Sequence, residues 1–222
     1  MELSNKTARE LFAEVQKKPP RNAFGFGTKP ALINIDLQNA FTRPERYKTA
    51  YATDPNQLQY VNQLAAAFRA RNLPVVWTYV AYMESGEDCG VWQMRNNNAD
   101  SLQNIKHGSE RAQFDERLDI DKARDVIMHK RMASPFFETN LWSLLNFHRV
   151  DTLVLTGGST SGCVRTAAVD GLSRGYRCLV PEECVADRHE SPHFAGLYDL
   201  AVKYADVIKT ADVKKYLETQ YR

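Results

Sequence analysis

Short apolar runs alternate with amphipathic stretches along this chain, and the alternation constrains its fold more than any other feature of the sequence. The apolar runs predict six strands, at residues 30–36, 74–80, 125–130, 150–155, 176–180 and 206–209. Helical spacing predicts helices at 7–17, 54–71, 138–147, 163–174, 191–204 and 211–221. Strands that alternate with helices form a mostly parallel sheet covered on both faces. The sequence therefore predicts an α/β fold built on a six-stranded, mostly parallel sheet.

Length and composition fit one domain of this kind. The chain has 222 residues, 43% of them hydrophobic, which is enough to bury one sizeable core. We predict a single domain over residues 1–222, in which residues 1–29 form an N-terminal helical arm before the first strand.

Charge and cysteine usage narrow the class of function. The chain has 29 basic and 27 acidic residues, so it lacks the basic excess of a nucleic-acid binder. No apolar stretch resembles a signal peptide or a membrane span, which predicts a cytoplasmic protein without a membrane partner. The four cysteines form no CxxC pair and are predicted to be free thiols. The expected partners are small molecules or further copies of the chain.

The stretch TGGSTSGCVRTAAVDGL, at residues 156–172, joins the fourth predicted strand to a helix. Its glycines allow a tight turn, which places Cys163 on the first turn of that helix. The helix dipole there is expected to lower the pKa of the thiol, as a nucleophile requires. The alternative is that Cys163 is a small buried hydrophobe. The glycine spacing matches neither a phosphate-binding loop nor a dinucleotide fingerprint.

Two further polar residues are predicted to share an edge of the sheet with Cys163. Asp36 ends the first predicted strand and Lys130 ends the third. In open α/β sheets the ligand site lies at the carboxyl ends of the strands. Singly, Asp36 could be an ordinary turn residue and Lys130 a solvated one. Together with Cys163 they suffice for acyl transfer through a thioester, with the backbone amides of Ser159 and Cys163 as an oxyanion hole.

The sequence gives weaker support to a site based on histidine, on a metal ion or on redox chemistry. His129 and Lys130 are adjacent on a strand, so their side chains point to opposite faces. His189 and His193 have a spacing that can bind metal, but Pro192 indicates that the helix begins there. We therefore predict that the site uses no metal and no cofactor. A redox role is disfavoured because Cys163 has no resolving cysteine near it in sequence.

These residues resemble those of the isochorismatase-like cysteine hydrolases, and specifically the N-carbamoylsarcosine amidohydrolase branch. The segments that carry the likeness are ALINIDLQNAF with Asp36, HKRMASPFFETNL with Lys130, the cysteine turn, and ECVADRHESPHFAGLYDLAVKYADV. The resemblance implies a three-layer α/β/α fold, a catalytic triad of Asp36, Lys130 and Cys163, and a homotetramer. It also implies a cis peptide between Gly158 and Ser159, positions at which this chain departs from the bulkier residue and Thr common in the family.

The same resemblance implies a substrate class. In that branch an Arg in the DRH segment binds the substrate's carboxylate, which corresponds here to Arg188; the alternative is a surface ion pair with Asp187 or Glu190. Phe41 and Trp92 could pack on the substrate, although aromatic residues more often belong to the core. The segment 83–113 matches the family weakly.

The resulting prediction is an amidohydrolase that releases ammonia from a small carboxylate-bearing amide or carbamoyl compound, with N-carbamoylsarcosine and maleamate as model substrates. Nicotinamide and ureidoacrylate are less favoured. The alternative from another class is a non-catalytic small-molecule-binding protein of the same fold.

Overall fold

A central parallel sheet organises the chain in the computed structural model, which describes residues 4–51 and 54–221. Its strands are β1 Pro30–Ile35, β2 Val75–Val80, β3 Val126–Lys130, β4 Thr152–Gly158, β5 Arg177–Pro181, β6 Val185–Ala186 and β7 Asp206–Ile208. The order across the sheet is β3-β2-β1-β4-β5-β7, with β6 paired to the end of β4. All these pairs are parallel. The six predicted strands are confirmed, and the two-residue β6 is an addition too short to show periodicity.

Helices cover both faces of this sheet, so the predicted three-layer arrangement is confirmed. They are α1 Ala8–Lys17, α2 Asn39–Thr42, α3 Gln57–Arg69, α4 Leu141–Phe147, α5 Arg165–Ser173, α6 Glu190–Asp199 and α7 Thr210–Gln220. Thr7 and Glu10 form a reciprocal capping box that starts α1. None of the helices within residues 4–51 and 54–221 combines the length and apolar character that a bilayer crossing requires.

Alternation along β1 divides the core into two layers. Ile33 and Ile35 join a cluster with α1, α4, α5 and α6, whereas Leu32 joins a cluster with α3 and α7. Successive side chains of a strand point to opposite faces, so a strand buried on both faces is apolar at nearly every position. The apolar stripe predicted for α3 is buried, and it consists of Leu58, Val61, Leu64, Ala65 and Phe68.

Two predicted elements differ from those observed. The helix predicted from residue 138 begins at Leu141 because Glu138 has a φ of 52°, outside the right-handed helical region. The polar segment 83–121 contains short 3-10 helices, Glu87–Arg95, Leu102–Asn104 and Glu110–Ala112. The same segment also forms isolated backbone bridges with residues that follow β1 and β2, from Phe114 to Gln38 and from Lys106 to Tyr82.

Candidate active site

The register of the sheet aligns three strand ends. Ile35, the last residue of β1, pairs with Thr78 on one side and with Gly157 on the other. Asp36 follows at once, with a φ of 55° and 1% exposure. Its Oδ1 accepts a 2.8 Å hydrogen bond from the Thr78 hydroxyl, which orients the carboxylate. A non-glycine residue held in this left-handed conformation costs free energy, so the surrounding structure must hold it there.

Lys130 connects the carboxylate to the sulfur. Its Nζ lies 2.7 Å from Asp36 Oδ2, donates to Cys163 Sγ at 3.4 Å and donates to the Met132 carbonyl at 3.0 Å. Burial lowers the pKa of this amine, but interactions with Asp36 and Cys163 raise it by more than burial lowers it. The net shift of the Lys130 pKa is therefore upward. Lys130 is therefore a buried ammonium between an acid and a thiol.

The turn that carries Cys163 is held by hydrogen bonds from α6 and the residues before it. Cys163 lies in a π-helical turn, Thr160–Val164, that continues into α5. Asp187 accepts hydrogen bonds from the amide and hydroxyl of Ser161, at 2.8 and 2.7 Å. The Thr160 hydroxyl lies 2.9 Å from His193 Nδ1. The peptide between Gly158 and Ser159 is cis, as predicted.

The expectation that the pKa of Cys163 is lowered is wrong. The residue keeps some exposed surface, but its thiol lies deep enough that burial raises the pKa to about 11, against the lowering effect of Lys130 and with a further rise from Asp36. Desolvation disfavours a charged thiolate more than one helix end and one ammonium favour it. At neutral pH the resting thiol is therefore protonated, and a base must remove its proton when it attacks.

Alkylation by iodoacetamide should report this protonation state. We expect Cys163 to react faster than Cys89, Cys178 and Cys184, because those three are fully buried. The rate at Cys163 should rise about tenfold per pH unit from pH 7 toward 10, since the thiolate is the nucleophile. Asp36→Asn should shift this profile to lower pH, because the carboxylate raises the thiol pKa. A rate that is flat above pH 7 would contradict the raised pKa; peptide mass mapping measures each thiol.

The backbone amides of Ser159 and Cys163, in the same turn, remain the predicted hydrogen-bond donors to the oxyanion. The neighbouring amides of Ser161 and Val164 donate to Asp187 and to the Ser159 carbonyl, so the backbone around the sulfur is held on both sides. The Ser159 amide precedes this held section, and the Cys163 amide lies within it. Their role toward a substrate oxygen follows from the family resemblance.

Arg188 is exposed and lines a polar cavity of about 640 Å³. Lys48 and Arg95 line the same cavity, so three cationic side chains border it. Within residues 4–51 and 54–221 the Arg188 guanidinium forms no ion pair, which disfavours the pairing with Asp187 or Glu190; Glu190 pairs with Arg9 instead. The Arg188 amide donates to Asp187 Oδ1, which ties the residue to the backbone beside the cysteine turn.

The two aromatic candidates are placed differently from each other. Phe41 is buried in a cluster with Val80, Ala81 and Ile105, and its ring stacks on Tyr51. Trp92 lies half-buried on the Glu87–Arg95 helix, where its carbonyl accepts a hydrogen bond from Gln103. A substrate contact by either ring stays a prediction. The surroundings of Phe41 agree with the alternative that it is a core residue.

The structure adds site residues for which the sequence carries no motif. Thr78 orients Asp36, and Asp187 and His193 hold the cysteine turn. Tyr51 lies close enough to Cys163 and Asp36 for their charges to raise its pKa, together with burial as the largest cause. Asp187 precedes Arg188 in the segment that carries the family resemblance, so the sequence could have suggested it. No pattern in the sequence suggests a role for Thr78 or Tyr51.

Two of the histidines, His129 and His193, have local environments that explain their presence without a catalytic role. His129 Nε2 lies 2.9 Å from the Ala81 carbonyl, and burial lowers the pKa of His193 to about 4, which keeps that ring neutral. Across the described part of the chain, no cluster of three or more His, Cys, Asp or Glu residues has a metal-binding arrangement.

Comparison with known proteins finds a matching family model and several similar proteins. A family model described as an isochorismatase domain matches residues 30–212. A maleamate amidohydrolase from Pseudomonas putida is 40% identical over 197 residues, which cover 87% of this chain and 89% of that protein. An N-carbamoylsarcosine amidase from an Arthrobacter species is 34% identical over 206 residues, covering 89% of this chain and 75% of that protein.

A solved structure shares the fold. The crystal structure of a cysteine hydrolase from Pseudomonas syringae pv. phaseolicola superimposes with a TM-score of 0.82, covering 92% of this chain and 100% of that one at 23% identity. At this identity the likeness concerns the architecture of sheet and helices alone.

Proposed function

The chain belongs to the isochorismatase-like hydrolase family and is an amidohydrolase of linear amides, and from this premise we propose that it uses Cys163 to release ammonia from a small carboxylate-bearing amide or N-carbamoyl compound. Maleamate and N-carbamoylsarcosine, which the names of two similar proteins specify, are the model substrates. Each carries one carboxylate in addition to the amide or carbamoyl group that is cleaved.

The contact of one buried ammonium with both an acid and a thiol carries the proposal. Lys130 Nζ lies 2.7 Å from Asp36 Oδ2 and 3.4 Å from Cys163 Sγ. A buried ion pair adds little to stability on balance, because desolvation offsets the attraction. Its position beside the thiol of Cys163 at the carboxyl ends of the strands supports a catalytic use instead.

Acylation begins from a protonated thiol. Asp36 takes the proton as Cys163 Sγ attacks the amide carbon, and Lys130 stabilises the negative charge that passes between them. The amides of Ser159 and Cys163 stabilise the oxyanion of the tetrahedral intermediate. Asp36 then returns the proton to the nitrogen, the C–N bond breaks, and ammonia leaves an acyl group bound to sulfur.

Deacylation reuses the same groups. Asp36 removes a proton from water, the hydroxide attacks the acyl carbon, and the C–S bond breaks as Asp36 returns the proton to sulfur. One carboxylate thus acts first as base and then as acid in each half of the reaction. The protonated resting state of Cys163 requires such a base, because the raised pKa leaves little thiolate at neutral pH.

The cationic cavity supports a carboxylate on the substrate. Arg188, Lys48 and Arg95 border it, and a guanidinium matches a carboxylate in bidentate geometry. Arg188 lies directly after Asp187, whose carboxylate accepts from both the Arg188 amide and Ser161 of the cysteine turn, so the backbone of Arg188 is connected to the turn that carries the nucleophile.

A panel of amides, assayed on wild-type protein and on Arg188→Ala, tests this assignment. We expect wild-type turnover to be highest for carboxylate-bearing amides such as maleamate and N-carbamoylsarcosine, measured as ammonia release. Loss of a charge-assisted bidentate contact should lower kcat/KM for them about 10- to 100-fold, mostly through KM, with less effect on nicotinamide. Arg124→Ala, at an exposed arginine before β3, is the matched control. Equal losses on charged and neutral amides would refute the role of Arg188.

We infer further that the protein is a homo-oligomer, with the tetramer of the family resemblance as the expected form. Large apolar side chains are exposed at several positions, and the most exposed include Val91 and Met94 on the Glu87–Arg95 helix and Trp142 and Phe147 on α4. Apolar surface of this kind supports association between copies.

A further inference from the structure

The space that a side chain at residue 158 would need is filled by the aromatic ring of Tyr51. A Cβ placed on Gly158 would lie 2.2 Å from Tyr51 Cε2 and 2.6 Å from Tyr51 Cδ2, far inside van der Waals contact. The φ of Gly158 is outside the left-handed region, so its backbone conformation is open to other residues. Glycine is therefore required at 158 by the Tyr51 ring and by nothing in the local backbone.

The ring is held in this position from its other side. The Tyr51 amide donates to the Phe41 carbonyl at 2.8 Å, and the two rings stack with centroids 5.3 Å apart and planes 6° from parallel. Phe41 is 6% exposed and packs in its own apolar cluster. Tyr51 is thus enclosed between a fixed aromatic ring and the backbone of Gly158.

The hydroxyl of Tyr51 interacts with a residue of the cysteine turn. It lies within hydrogen-bonding reach of the Ser159 side chain, and burial, with the charges of Cys163, Asp36 and Asp187, holds its pKa well above the usual value. The phenol is therefore neutral wherever the enzyme works, and it serves as a fixed hydrogen-bonding group rather than a base.

We propose that Tyr51 is a positioning residue of the active site, whose ring packs on Gly158 and whose hydroxyl meets Ser159, so that together they align the peptide leading to the nucleophile. Tyr51 and Gly158 form a matched pair, because the Tyr51 ring occupies the space that a Cβ at residue 158 would need. The catalytic consequence rests on the proposed function, because the Ser159 amide and the Cys163 thiol act on the substrate from this turn.

Three variants test the pairing. Gly158→Ala should force the ring and the turn apart, and since a misplacement of about 1 Å can cost about 100-fold in rate, kcat should fall at least about tenfold. Tyr51→Ala removes the support and should also lower kcat. The double variant, Gly158→Ala with Tyr51→Ala, should be faster than Gly158→Ala alone, because the added methyl group then has room. KM should change less than kcat, since the turn acts on the transition state.

A conservative variant and a matched control separate positioning from general packing. Tyr51→Phe keeps the ring and loses the hydroxyl, and it should lower kcat about tenfold, the worth of one hydrogen bond. Tyr176→Ala removes another buried tyrosine ring, which stacks on Phe136 in the core. It should lower the melting temperature and leave the Cys163 alkylation rate unchanged.

Alkylation of Cys163 keeps this test independent of the substrate. The rate should depart from the wild-type value in Gly158→Ala and return toward it in the double variant, even if no amide of the panel is turned over. If Gly158→Ala fails to fold, the pairing predicts that the double variant regains a cooperative melting transition. A double variant no better than Gly158→Ala in folding, alkylation and kcat overturns the pairing. Failure of the proposed function would appear separately, as a wild-type protein without amidase activity.

Discussion

Cys163→Ala is expected to abolish ammonia release. Removing a nucleophile that acts as a unit with its base and cation lowers kcat by at least about 10,000-fold, because no covalent intermediate can form. The fold should persist: Lys130 keeps its contacts with Asp36 and the Met132 carbonyl, and Cys163 is only partly buried. Initial rates with an amide that the wild type turns over, together with a melting curve, measure both quantities.

Cys178→Ala is the matched control for that variant. Cys178 is fully buried in β5 and its burial raises the thiol pKa to about 12, so it packs as a small hydrophobe. This substitution should lower the melting temperature and leave kcat unchanged. Mass spectrometry of wild-type protein quenched during turnover should also find an acyl adduct on the Cys163 peptide. Ammonia release at the normal rate by Cys163→Ala would eliminate the thioester mechanism and leave the non-catalytic alternative, or a different nucleophile.

Asp36→Asn is the second substitution with a large expected effect. An amide cannot accept the proton of the Cys163 thiol or that of the attacking water, so kcat should fall by about 100- to 10,000-fold. Stability should fall as well, because Lys130 is left as a buried charge without its partner, which typically costs about 3–5 kcal/mol. The pH dependence of alkylation gives an independent readout, since the thiol pKa should fall when the negative charge is removed.

Asp125→Asn separates the chemical effect from the structural one. Asp125 is also a buried carboxylate, paired with Arg69 at 3.0 Å and with the Trp77 indole at 2.9 Å, at the opposite end of β3 from Lys130. Its substitution should destabilise the protein by a similar amount with kcat unchanged. If both variants lose activity in proportion to their stability, Asp36 acts in the fold rather than in the reaction.

The resting thiol also bears on how catalysis is switched on. Burial keeps Cys163 protonated while Asp36 remains beside it, and in the proposed mechanism the thiolate forms only as the proton moves to the carboxylate. A permanently ionised thiol in the same place would be open to oxidation and adventitious alkylation.

Local patterns in the sequence determined the architecture and singled out the three residues to which the proposed mechanism assigns the reaction. Alternating apolar runs predict strands and helical spacing predicts helices, because each pattern reflects which face of an element is buried. Asp36 and Lys130 end their strands, and parallel strands bring those ends to one edge, so their meeting with Cys163 follows from topology. The family resemblance added the cis peptide and the candidate role of Arg188.

Only the tertiary structure decided the environment of these groups. The pKa of Cys163 depends on how deeply neighbouring chain segments bury its sulfur, and a helix start in the sequence carries no such information. Thr78 reaches Asp36 through strand pairing, and Tyr51 reaches Gly158 across more than a hundred residues of chain. Such contacts depend on the packing of distant segments, whereas periodicity and spacing describe only residues that are neighbours along the chain.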